Sequence, residues 1–118
     1  MDKKRILLVD DEESIQLLYR EEFEEEGYSV DSARNGVEAL EKFRANPPDL
    51  VVLDINMPGM NGIEVLRQMK ELRATMPVIL NSAYQEYKQD FGSWASEAYV
   101  VKSANMDELK ATVRKYLS

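Results

Sequence analysis

This chain of 118 residues should fold as a single α/β unit, a doubly wound sheet of five parallel strands with helices on both faces. Three observations lead there. Short apolar runs recur along the sequence, segments with helical spacing separate them, and the connections are too short to join anything but neighbouring elements. Four of the runs, Ile6–Val9, Leu50–Leu53, Val78–Leu80 and Ala98–Val101, contain no charged or strongly polar residue, as befits strands covered on both faces. A fifth, Tyr28–Val30, is weaker.

Taken in order, the first strand ends at Asp10 and a helix follows, with Ile15, Leu18, Tyr19 and Phe23 marking its apolar face. Its other face, EEFEEE, reads as a solvated acidic surface, and Gly27 suits a left-handed C-terminal cap. After the Tyr28–Val30 strand, Val37, Leu40 and Phe43 mark a second helix, stopped by Pro47 and Pro48. The third strand, Leu50–Leu53, runs into Asp54. Ile63, Leu66 and Met69 mark a third helix, begun after Gly59 and Gly62 and stopped before Pro77. Beyond the fourth strand, Tyr84, Tyr87, Phe91 and Trp94 fall at helical steps, so one face of a fourth helix carries four rings. That face either packs on the sheet or forms a docking surface, and Gly92 weakens the helix by about 1 kcal/mol relative to alanine. The fifth strand ends at Lys102. Leu109, Val113 and Leu117 mark the last helix, with Asn105 or Asp107 as its cap.

Composition narrows the function. A chain of this size buries roughly two thirds of its unfolded surface and needs no staple, and it has no cysteine to provide one. Fifteen basic against 22 acidic residues give a net charge of −7, which repels phosphate backbones and argues against direct nucleic-acid binding. The apolar run after MDKKR is too short for a signal peptide or a membrane span. The expectation is a soluble cytoplasmic protein, without membrane contact and with nothing left over for an output domain.

In open α/β sheets ligands bind beyond the carboxyl ends of the strands. Asp10 and Asp11, Asp54, Ser82 and Lys102 stand at four such ends. Three carboxylates drawn together raise each other's pKa unless a cation relieves them. Magnesium, which is hard and oxygen-seeking, is the natural ion, with manganese as an alternative; with no histidine or cysteine, zinc lacks its usual ligands. A metal ion beside a carboxylate, a hydroxyl and an ammonium suits a phosphoryl group, which the carboxylate can attack in line to give an aspartyl phosphate.

DD at 10 and 11, VVLDINMPGMNGIEVL around Asp54, SA at 82 and 83 and YVVK at 99 to 102 together resemble the receiver domain of two-component response regulators, in order and spacing and over nearly the whole chain. The resemblance implies a flavodoxin-like (βα)5 fold with strand order 2-1-3-4-5. It implies Asp54 as phosphoacceptor and Asp10, Asp11, Asp54 and the Asn56 backbone carbonyl as magnesium ligands. Lys102 would pair with the phosphoryl group. Ser82 would meet it, and Tyr99 would couple that movement to the surface of the fourth helix, fifth strand and fifth helix. The implied partners are a sensor histidine kinase or histidine phosphotransfer protein as donor and a downstream target protein, in chemotaxis, a phosphorelay or another circuit.

Two departures stand out. Ser103 follows Lys102 where most of the family has proline; a cis bond before serine would cost about 2.5–4 kcal/mol, so this bond should be trans. Tyr84, two residues past Ser82, should shield the acyl phosphate from water, so Tyr84→Ala should hasten dephosphorylation in a single-turnover assay. Other classes fit less well. A pseudo-receiver would not need to keep the acids, hydroxyl and lysine. An aspartate-nucleophile phosphatase would want a second acid at Asn56 and a cap, and a flavin carrier would not place DDEE where a phosphate must bind.

Overall fold

The computed structural model describes residues 3–83, 96–103 and 105–117. These form strands β1 (Arg5–Val9), β2 (Ser29–Ala33), β3 (Leu50–Leu53), β4 (Val78–Ser82) and β5 (Ala98–Val101). The helices are α1 (Glu13–Glu25), α2 (Gly36–Ala45), α3 (Gly62–Leu72) and α4 (Asp107–Leu117). The sheet is parallel in the order β2-β1-β3-β4-β5. The ring stripe Tyr84, Tyr87, Phe91 and Trp94, with Gly92, lies outside the described residues.

Strand periodicity sorts the core into two layers. Leu7, Val9, Val51, Leu53, Val78 and Leu80 point to one face, where Ala39, Leu40 and Phe43 of α2 and Val65, Leu66 and Met69 of α3 cover them. Ile6, Leu8, Leu50, Val52, Ile79 and Val100 point to the other, under Tyr19 and Phe23 of α1 and Leu109 and Val113 of α4. Because β1, β3 and β4 are internal, both their faces are buried, which is why their sequences do not alternate. The outer strands differ. β2 buries only Val30 on one face and Ala33 on the other, and in β5 only Val100 is fully buried, so the expectation that both faces of Ala98–Val101 are covered is corrected.

Local chemistry sets the helix ends. At the end of α1, Gly27 takes φ +97° while its N–H bonds the Glu24 carbonyl and the Tyr28 N–H the Phe23 carbonyl, a Schellman closure. The Tyr28 and Phe23 rings complete it with an edge contact at 6.3 Å. Asn35 and Asn61 cap α2 and α3 by accepting the N–H groups of Glu38 and Glu64. Asn105, as expected, accepts the Asp107 N–H at the start of α4.

Three expectations are corrected. Leu18 is 42% exposed and Val37 59%: α1 docks along Ile15, Tyr19 and Phe23, four residues apart, and α2 along Gly36, Ala39, Leu40 and Phe43, leaving each of these side chains beyond the buried stripe. Gly62 is the first residue of α3, not a residue before it.

Candidate functional site

β1 and β3 deliver Asp10 and Asp54 to the same edge because they are neighbours in register, Val9 opposite Leu53. The Asp54 N–H bonds the Val9 carbonyl at 2.9 Å, and the Asp10 N–H the Ala33 carbonyl at 3.1 Å. Both side chains are almost fully buried, whereas Asp11 is exposed. Asp10, Asp11 and Asp54 each offer a carboxylate oxygen, and these oxygens lie within 4.8 Å of one another. The chain turns after Asp10, whose Oδ1 accepts the Glu12 N–H at 2.9 Å, while Gln16 Nε2 donates to the Asp10 and Ala33 carbonyls.

Lys102 enters from the end of β5. Its N–H bonds the Ser82 carbonyl at 2.7 Å, tying the ends of β4 and β5 together, and every described peptide bond, Lys102–Ser103 included, is trans. Serine therefore does not misdirect the lysine. The Nζ atom lies 2.8 Å from Asp10 Oδ2, 3.4 Å from Asp54 Oδ2 and 3.8 Å from Glu12 Oε1.

These contacts set the titration of the site. Burial pushes the Asp54 carboxyl up to about 6, with Asp10 adding to the effect against the Lys102 ammonium and the Asn56 backbone N–H, which bonds the carboxylate. For Lys102, burial works against the charge, but the bond to Asp10 and the field of Asp54 outweigh it and hold the pKa above its usual value. The lysine is thus an ammonium at any physiological pH, serving two buried carboxylates at once.

The residues fit magnesium. All three side chains offer hard oxygen donors, and an octahedral ion with bonds of 2.0–2.1 Å separates its ligand oxygens by about 2.9 Å when adjacent and about 4.2 Å when opposite. A spread of 4.8 Å closes to that by small side-chain rotations. One lysine does not balance Asp10, Asp11, Glu12 and Asp54, so the edge retains the negative charge that a divalent cation would neutralise.

Ser82 is buried as the last residue of β4, and Tyr99, opposite Leu80, is half-buried against the layer under α2 and α3. Asn56 stands beside the site with its side chain exposed. All seven predicted site residues therefore lie at or next to one sheet edge. Sequence reasoning missed Glu12, placed at the α1 cap position and reaching Lys102, and Gln16, which braces the Asp10 turn. It also missed why position 62 is glycine: a Cβ there would sit 2.1 Å from the Asp54 carbonyl oxygen and 2.7 Å from Ile55 Cα. The start of α3 lies directly against the backbone that carries Asp54, joined by the Gly62 N–H to the Ile55 carbonyl at 2.8 Å. The sequence signal was there in NG at 61 and 62, a cap residue followed by a residue with no side chain.

Comparison with known proteins converges on one family. The sequence pattern described as response regulator receiver domain matches residues 6–114. Sporulation initiation phosphotransferase F of Bacillus subtilis (strain 168) is 39% identical over 119 residues, covering 99% of this chain and 96% of that one. Among solved structures, the response regulator TrrA of Thermotoga maritima in complex with Mg2+ and BeF is 52% identical with a TM-score of 0.95, over 97% of this chain and 99% of that one. TrrA in complex with the histidine kinase ThkA gives 52% identity and a TM-score of 0.92, over 98% and 99%. The chain spans about half the length of several other curated relatives. No helix among the described residues is long and apolar enough to cross a membrane.

Proposed function

Because the chain belongs to the response regulator receiver domain family, we propose that Asp54 is its phosphoacceptor, taking a phosphoryl group from a phosphohistidine on a sensor histidine kinase or histidine phosphotransfer protein. The observation that carries this is the cluster itself: Asp10, Asp11 and Asp54 within 4.8 Å and one ammonium shared between Asp10 and Asp54. Asp10, Asp11, Asp54 and the Asn56 carbonyl would hold magnesium, or manganese in its place. When bound, the ion neutralises phosphoryl oxygens and counters the acidic edge.

An Asp54 carboxylate oxygen attacks phosphorus opposite the imidazole nitrogen. The O–P bond forms as the N–P bond breaks, and the imidazole leaves with the electron pair. Lys102, freed from its hold on Asp54, neutralises one phosphoryl oxygen, and the Ser82 hydroxyl donates to another. That pull on the end of β4 draws Tyr99, which lies on the neighbouring strand two pairs back, toward the interior and alters the surface around β5, which a downstream protein reads. Onward transfer to a relay histidine is the same step in reverse. The protein promotes its own phosphorylation and dephosphorylation and turns over no separate substrate; its surroundings are cytoplasmic.

Incubation with Mg2+ and a small phosphoryl donor should add the mass of one phosphoryl group, and Mg2+ with beryllium fluoride should bind at one site. Asp54→Ala should show neither. Equal modification of both proteins, or of neither, overturns the assignment.

Lys102 and a divalent cation serve the same carboxylates, so Lys102→Met should bind Mg2+ several-fold more tightly in a calorimetric titration. The same variant should accept the phosphoryl group at least tenfold more slowly. Unchanged Mg2+ affinity would show that the ammonium does not compete with the ion.

A further inference from the structure

The ladder between β1 and β2 stops just short of the acids. Val9 opposite Ala33 is its last pair, closed by the Asp10 N–H on the Ala33 carbonyl at 3.1 Å, so the Asp10 carbonyl lies beyond the end of β2. A side chain of α1 takes over there. Gln16, half-buried near the start of the helix, donates from Nε2 to the Asp10 carbonyl at 2.7 Å and to the Ala33 carbonyl at 2.9 Å. An NH2 group has two hydrogens for two acceptors; with the amide turned over, its oxygen would face two carbonyl oxygens.

These bonds hold the peptide unit that joins the two acids. The Asp10 carbonyl and the Asp11 nitrogen share one plane, so fixing the carbonyl fixes the direction in which Asp11 leaves the strand end. The Asp10 side chain is set separately, by the Glu12 N–H on Oδ1 at 2.9 Å and the Lys102 ammonium on Oδ2 at 2.8 Å. Asp11, by contrast, is exposed, and its place in the cluster depends on how that peptide is turned. A site that must order its ligands when the ion arrives loses affinity to that ordering.

We propose that Gln16 is a positioning residue for the divalent-cation site, holding the Asp10–Asp11 peptide so that both carboxylates face Asp54 before the ion binds. This rests on the reading of Asp10, Asp11 and Asp54 as the metal-bearing cluster. Gln16 acts through the backbone and leaves every ligand in place. Once bound, the ion itself keeps the acids in position, so loss of Gln16 should raise the amount of Mg2+ required without slowing the loaded protein.

The test is a calorimetric Mg2+ titration of the unphosphorylated chain at physiological salt. Gln16→Met keeps the length and the helix propensity of the side chain and removes both donors. It should weaken Mg2+ binding by about tenfold, the lower end of what removing a group behind the metal ligands costs. With a small phosphoryl donor, the Mg2+ concentration for half-maximal phosphorylation should rise by the same factor, while the rate at saturating Mg2+ stays within about twofold of the wild type. Arg20→Met is the control. Arg20 also ties α1 to β2, through the Ser32 hydroxyl at 2.7 Å, so its loss removes a comparable contact away from the Asp10 carbonyl and should leave Mg2+ affinity nearly unchanged. Equal Mg2+ affinity in Gln16→Met and wild type, an equal loss in Arg20→Met, or a slower saturated rate with an unchanged Mg2+ requirement overturns the role of Gln16 alone. A wild type that binds no Mg2+ overturns the metal reading, and this role with it.

Discussion

In metal-free solution at pH 7, Asp54→Asn is expected to be more stable than the wild type by about 2–3 kcal/mol, and at pH 4 by only about 0.5 kcal/mol. The folded carboxyl titrates near 6 against an ordinary 3.8, chiefly because it is buried. Its folded pKa being the higher, the native state holds the proton more tightly than the unfolded chain does. Below about pH 3 both states are protonated and the residue is neutral in the balance. As pH rises from about 4 to about 6 the unfolded chain loses its proton first, so native stability falls, and above 6 the loss is constant. At 1.36 kcal/mol per pH unit the full gap is about 3 kcal/mol, and water reaching the site edge trims it. Asparagine keeps the shape and removes the charge. Urea denaturation at pH 4, 5.5 and 7 in the presence of a chelator measures this, and a gain independent of pH would refute the electrostatic origin. Added Mg2+ should stabilise the wild type at pH 7 and have far less effect on Asp54→Asn.

Gly62→Ala should cost about 3 kcal/mol or more, in the range reached only by core disruption or backbone clashes. Two effects compete at this position. Alanine favours a helix over glycine by about 1 kcal/mol, and Gly62 is a helical residue in α3. A methyl group there, however, would sit 2.1 Å from the Asp54 carbonyl oxygen and 2.7 Å from Ile55 Cα, and both are backbone atoms that cannot swing aside as a side chain would. Either α3 retreats or the Asp54 segment does. The substitution should therefore lower the denaturation midpoint and also weaken beryllium fluoride binding in whatever fraction stays folded. Asn61→Ala, which removes the α3 cap next door, is the control: it should cost only about 1 kcal/mol and leave that binding nearly intact. An alanine at 62 tolerated without loss would mean that α3 does not press on the phosphoacceptor backbone.

Much of the site was readable in advance because β-strands turn sequence order into spatial order. Once ILLV, LVVL, VIL and AYVV are recognised as neighbouring parallel strands, whatever follows them must gather at one edge, and Asp10, Asp54, Ser82 and Lys102 did. Helix faces were less legible. Leu18 and Val37 fit an apolar period but lie outside the buried stripe, because a helix's rotation is set by what it packs against, and periodicity alone tolerates an error of one residue. Asn81 was passed over for a related reason: the apolar run was taken to stop at Leu80, whereas β4 continues to Ser82 with an amide facing Tyr19.

By itself, then, the sequence determined the alternation of elements, the two-sided burial of the inner strands and the identity of the residues at the sheet edge, since each depends on local pattern and on short connections. Only the tertiary structure decided how those residues meet. That the Lys102 ammonium reaches both Asp10 and Asp54, that Gly62 is glycine because α3 abuts the Asp54 backbone, and that Asn81 meets Tyr19 across the core are facts about distances between segments that the chain folds together. Such distances are set by the packing of both helical layers against the sheet, which no local stretch of sequence encodes.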